Sequence, residues 1–180
     1  MRSRPDATMW HLWYRLRLIG PPIGSEQLML DAYRELIDLL AETPRRLQSL
    51  VEGRELPTQR SNEDWGPIEV IAHMVDAERL SRERIVRMLA EDTPYFRAMN
   101  QLELARAGDY ASRSLQEVLD AFGHERGETL SVLMNLAPKD WDRKAIHETR
   151  DEITIEDIIE DLIQHDREHL DQIQQLLGGT

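Results

Sequence analysis

The chain has no cysteine. That absence removes disulfides, cysteine-based zinc sites and a thiol nucleophile from consideration. It is compatible with a reducing cytosol, and a cytoplasmic location is the expectation. No apolar run approaches the roughly 18–20 residues that cross a bilayer, so no membrane partner is expected. Positive charge is scarce: 22 Lys and Arg face 34 Asp and Glu, a formal net charge of −12. Such a surface repels a phosphate backbone outside a local basic patch, which argues against nucleic acid as a partner. No strand pattern and no internal repeat stand out. What is there, 180 residues with 41% hydrophobic and 31% charged, suffices for one globular domain with a real core.

The first 24 residues differ in character. Arg2, Arg4, Trp10, Trp13, Tyr14, Arg15 and Arg17 make them basic and aromatic. A secretory signal needs an uninterrupted apolar stretch and a small-residue cleavage site. Arginines interrupt this one, and Pro21-Pro22 follows. Residues 1–24 are therefore read as an N-terminal extension, partly disordered, ahead of a domain over 25–178.

Four amphipathic segments carry the rest. Ser25 can cap a first helix with Leu28, Leu36, Leu39 and Leu40 on its core side. Thr43-Pro44 should end or kink it, with a continuation through Leu47 and Leu50 to Gly53. A polar loop from Arg54 to Trp65 follows. Gly66-Pro67-Ile68-Glu69 starts a second helix running to about Asp92, with Val70, Ile71, Met74, Ala77, Ile85, Met88 and Leu89 as its stripe. Residues Gln101 to Ala107 can form a short helix. Ser114-Leu115-Gln116-Glu117 matches a capping box, opening a third helix to about Leu136. Trp141 and His147 fall in the loop beyond. Thr154, with Asp157 at the third position, caps a last helix closed by Gly178-Gly179. An all-α antiparallel four-helix bundle buries four such stripes.

The chemistry concentrates in His165-Asp166-Arg167-Glu168-His169. Two histidines four apart stand one turn above each other, a geometry that can grip one ion. His73 flanks the stripe of the second helix. If the two edges face each other, three imidazoles converge, leaving an open coordination position. The same pentad also reads H-x-x-E-H, with Glu168 as general base. That motif needs a further acidic ligand well downstream, and eleven residues follow His169. Three charges, Glu78, Arg126 and Asp166, project into apolar stripes of different helices. Each is costly to bury alone, so they are expected to meet, Arg126 bridging the acids. Asp166 or Glu78 is also a candidate to orient a ligand histidine through its second nitrogen. His147 is a candidate to hydrogen-bond a substrate. Trp65 and Trp141, beside helix ends, read as packing residues.

The run Trp65-Gly66-Pro67-Ile68-Glu69-Val70-Ile71-Ala72-His73-Met74-Val75-Asp76-Ala77-Glu78 resembles the W-x-P-x-E-V-x-x-H-x-x-D-x-E start of the second helix in DinB/YfiT-like proteins. Leu136-Ala137-Pro138-Lys139-Asp140-Trp141 is similar to that family's segment after the third helix. His147, Thr154 and His165-Asp166-Arg167-Glu168-His169-Leu170-Asp171-Gln172-Ile173 resemble its closing pattern. Asp151-Glu152 departs from a glycine often found before the threonine. The resemblance implies a four-helix bundle binding a divalent metal (zinc, nickel or iron) through His73, His165 and His169. It also implies a homodimer and a small-molecule substrate. Some relatives are thiol-dependent transferases or isomerases using low-molecular-weight thiols such as bacillithiol or mycothiol. S-transfer from such a thiol is therefore the first functional expectation. A metal-dependent hydrolase and a metal-binding stress or interaction protein without turnover are the alternatives.

Overall fold

The computed structural model describes residues 25–54, 56, 65–98, 103–104 and 108–178. The N-terminal extension lies outside the described residues, as do most of the polar loop before Trp65, most of Gln101 to Ala107, and Gly179. By internal packing the chain divides into residues 1–35 and 36–180. The site and its supports belong to the second unit.

Four long helices dominate: α1 (Ser25–Val51), α2 (Pro67–Ala90), α3 (Leu115–Leu133) and α4 (Ile155–Gly178). α2 and α3 stop two or three residues earlier than their sequence patterns suggest. The apolar stripes meet as their periodicity requires. One cluster joins Leu47 and Val51 of α1, Val70, Ile71 and Met74 of α2, Val118 and Phe122 of α3, and Leu170 and Ile173 of α4. On α1 the pattern reaches too far back, because Leu28 is 64% exposed.

Local chemistry sets the helix starts. Ser114 Oγ accepts the Glu117 N–H, while the Glu117 carboxylate accepts the Ser114 N–H at 2.8 Å. Thr154 and Asp157 repeat the exchange at α4, at 3.1 and 2.7 Å. Each exchange satisfies two amides that a helix start leaves unbonded. Gly53, at φ 67°, follows the end of α1 in the left-handed conformation glycine tolerates.

Of the two outcomes expected at Thr43-Pro44, an end or a kink, the end does not occur: α1 runs through Pro44. A proline in a helix has no N–H for the carbonyl four residues back, here that of Leu40. That carbonyl accepts a hydrogen bond from Arg126 Nη1 at 2.7 Å. The acceptor left without its intrahelical donor is thus satisfied by a buried cation from α3, and the helix continues.

A small sheet is the second departure from the sequence reading. β1 (Tyr95–Phe96) pairs in parallel with β2 (Lys144–His147), which pairs antiparallel with β3 (Asp151–Thr154). Ala145 faces Ile153 and both are buried. His147, expected in a loop, ends β2. Asp151 adopts φ 60°. Asp tolerates this region better than most L residues, and alanine pays the full steric cost. Asp151→Ala is therefore expected to lower the unfolding free energy by about 1 kcal/mol, with Asp151→Gly close to wild type. Urea midpoints of the two variants check this, and equal loss in both would remove the backbone explanation.

Candidate metal centre

α2 and α4 bring three imidazoles together. His73 Nε2 lies 3.0 Å from His165 Nε2, and His169 Nε2 lies 3.1 Å from the same atom. The ring centroids stand 4.3–5.0 Å apart. Among the described residues they form the one group of three metal-type ligands so placed. His73 is fully buried, and His165 and His169 are half-buried.

The donor set fits a cation. A neutral imidazole has one N–H, so the single Nε2 of His165 cannot donate to both neighbours. Nitrogens bound to one ion at about 2.0–2.1 Å can be no more than about 4.2 Å apart, a limit both measured distances meet. One tautomer is set locally: His169 Nδ1 lies 2.8 Å from Gln172 Oε1, an acceptor. Its N–H is therefore on Nδ1, and the Nε2 lone pair points at the other rings. Gln172 has a sequence signal, an amide three residues after a ligand histidine. The sequence reading assigned it no role.

Burial keeps His73 and His165 uncharged. His73 is lowered to about 4, first by desolvation and then by His169. His165 is lowered to about 3 by desolvation, then by His169, His73 and Arg126. In metal-free protein the folded state thus resists a proton that the unfolded chain accepts near pH 6.5. Between pH 6.5 and about 4 the unfolded state binds more protons, so stability falls as pH falls. Each pH unit is worth about 1.4 kcal/mol, so the His73 contribution is about 3 kcal/mol. His165 acts in the same direction. Urea midpoints of chelator-treated protein at pH 7 and 4.5 test this, and His73→Asn is expected to flatten the difference.

Behind the histidines lies a buried ionic group. Arg126 Nη2 donates to Glu78 Oε2 and to Asp166 Oδ2, each at 2.8 Å. Arg126, Glu78 and Asp166 are 1%, 0% and 2% exposed. Through Leu40 O, Glu78 and Asp166, one guanidinium joins α3 to the other three helices. Its face also lies 5.0 Å from the Phe122 ring centroid. Burial raises the Asp166 carboxyl against the opposing pull of Arg126. Neither acid is hydrogen-bonded to a ligand histidine. Both acids bond Arg126, and Asp166 also bonds the Thr43 hydroxyl, while His73 Nδ1 and His165 Nδ1 have no partner among the described residues.

The remaining candidates separate cleanly. Trp65 does more than pack a helix end: its ring lies 5.2 Å from His73 and 5.8 Å from Tyr110, whose hydroxyl donates to Asp76 at 2.6 Å. Trp141 is buried, 2% exposed. His147 lies outside the cluster, and its Nδ1 accepts the Thr149 N–H at 3.3 Å. Glu168, the base of the literal H-x-x-E-H motif, is exposed and accepts from Gln164 at 2.8 Å. No described helix is long and apolar enough to cross a membrane.

The chain and its fold have relatives. The model of the DinB superfamily matches residues 27–173. A protein of Oceanobacillus iheyensis, assigned provisionally to the metal-dependent hydrolases, is 28% identical over 150 residues. The match covers 79% of this chain and 84% of that protein. The solved structure of YfiT from Bacillus subtilis superposes with a TM-score of 0.72 at 24% identity, covering 80% of this chain and 85% of that one. It is described as a probable metal-dependent hydrolase with an unusual four-helix bundle topology.

Proposed function

The chain belongs to the DinB superfamily, and from that premise we propose that it is a metal-dependent enzyme acting on a small molecule, with His73, His165 and His169 as the ligands of one divalent ion. The observation that carries this is the convergence of three Nε2 atoms, those of His73 and His169 lying 3.0 and 3.1 Å from that of His165. Zinc, nickel and iron all suit an imidazole set. When bound, such an ion lowers the pKa of a water or thiol at its open position, so that a nucleophile is available at neutral pH.

The protein's own residues prepare that site. Desolvation leaves His73 and His165 neutral, so both offer lone pairs at pH 7. Gln172 holds the His169 proton on Nδ1, away from the ion. Trp65 covers one side of His73 and limits water there. The family resemblance favours a low-molecular-weight thiol as the nucleophile and S-transfer as the reaction. A second reading, hydrolysis, is favoured by the description of the Oceanobacillus relative. A homodimer is the expected assembly.

Cobalt(II) substitution separates these readings, because thiol sulfur bound to cobalt produces intense near-ultraviolet absorption. New absorption on adding a small thiol, together with thiol consumption in the presence of an electrophile, supports S-transfer. No change with any thiol, but turnover of an ester or amide panel, supports hydrolysis. Metal binding with neither activity leaves a metal-binding protein without turnover. Sedimentation of the metal-loaded chain tests the dimer.

A further inference from the structure

The charges buried behind the histidines do not cancel. Glu78 and Asp166 are two carboxylates, and Arg126 is the guanidinium that bridges them. With both acids ionised, one formal negative charge is left in the interior. Glu78 Oε1 and Asp166 Oδ1 have no hydrogen-bond partner among the described residues. An uncompensated charge in such surroundings is costly unless something nearby offsets it.

The three-histidine site is where an offset would sit. Asp166 stands between His165 and His169 in α4. Arg126 acts electrostatically on His165. Glu78 follows His73 by five residues on α2, about 7–8 Å further along the axis. The ligands themselves bring no negative charge, unlike sites with carboxylate or thiolate ligands. The offset must therefore come from acids outside the ligand set, and Asp76, which acts electrostatically on His73, is already matched by Arg79 at 3.7 Å.

We infer that Glu78, Arg126 and Asp166 together form the buried counter-charge of the metal ion, and that their net charge sets the affinity of the three-histidine site. This rests on the metal-site reading of the preceding subsection. None of the three residues has to touch the ion, since a charge within about 10 Å in a poorly solvated interior still acts on a divalent cation.

A purely structural role for the group makes a different prediction about sign. If Arg126 only holds the helices in place, disturbing either end of its ion pairs loosens the ligands and weakens metal binding. If the group is a counter-charge, the two ends act oppositely. Glu78→Gln removes a negative charge and leaves the group neutral. Arg126→Met removes the positive charge, so two acids are left behind the site with no cation between them.

The test measures cobalt(II) and zinc(II) dissociation constants of the full chain by chelator competition at about 0.15 M salt, where surface charges are screened. Glu78→Gln is expected to bind on the order of tenfold more weakly, and Arg126→Met on the order of tenfold more tightly. The double variant, with the wild-type net charge restored, is expected to lie within about threefold of wild type. Glu125→Gln is the control. Glu125 is a buried acid on α3 paired with Arg79 and Arg82, outside the group, and its loss should leave both constants unchanged. Should Arg126→Met fail to fold, the comparison of Glu78→Gln with the double variant decides. Weaker binding in both single variants, no change in either, or no recovery in the double variant would overturn the inference. A wild-type chain that takes up neither metal would overturn the metal-site reading itself.

Discussion

Replacing His165 and His169 together by alanine is expected to abolish stoichiometric metal binding while leaving the helical fold in place. Both rings are half-buried at the edge of α4's apolar face, and the core of that helix is Ile159, Leu162, Leu170 and Ile173. Deleting the rings leaves that core intact and removes two of three ligands. The consequence for stability follows from mass action. An ion at a thousand times its dissociation constant stabilises the folded state by about 4 kcal/mol. For a chain of this size each kcal/mol moves the thermal midpoint by about 2–4 °C. Wild-type protein is thus expected to lose about 8–16 °C of midpoint on chelation, and the double variant to show no metal-dependent shift. Elemental analysis of both proteins, purified without chelator, gives the direct count. Equal metal in parent and variant would place the ion elsewhere. No metal in the parent would remove the proposed function.

The second large effect concerns Arg126. Arg126→Met is expected to cost about 3–5 kcal/mol, the range for breaking a buried ion pair from one side. The methionine fills much of the space. The loss comes from Glu78 and Asp166, which keep their charges and lose their donors, and from Leu40 O, which Pro44 leaves without an intrahelical donor. A thermal midpoint lower by about 6–20 °C is the corresponding readout. Glu78→Gln on the same background is expected to recover part of the loss, because one fewer charge is stranded. A near-neutral effect of Arg126→Met would mean that the group is hydrated. The buried ionic group would then cease to explain how α3 is tied to the other helices. These two experiments are independent. The first removes ligands and spares the core, and the second disturbs the core and is read in chelator-treated protein, where metal affinity does not enter.

The sequence by itself determined the features that depend on near neighbours along the chain. Helical periodicity marked the stripes, and Ser114–Glu117 and Thr154–Asp157 marked two helix starts, because a helix places residues three and four apart on one face. The same rule made His165 and His169 a pair. It also picked out Glu78, Arg126 and Asp166 as charges in the wrong place for a solvated surface. Those signals, with the family pattern, sufficed for the all-α bundle and the three candidate ligands.

Only the tertiary structure decided what depends on distant partners. Pro44 reads as a helix breaker until Arg126, 82 positions later, accounts for the Leu40 carbonyl. β2 has four residues, Lys144, Ala145, Ile146 and His147, with little intrinsic strand preference. It exists because Asp151–Thr154 pairs along its length and Tyr95–Phe96 lies on its other side. Asp166 and Glu78 were equally able to face a histidine or an arginine, and packing turned both to Arg126. His147 was a free loop residue until the hairpin fixed it away from the cluster. Convergence of His73 with His165 and His169 required α2 and α4 to present their histidine-bearing edges to each other. Local periodicity sets which face a side chain is on. What that face meets is settled by the simultaneous burial of all four stripes, which no single segment encodes.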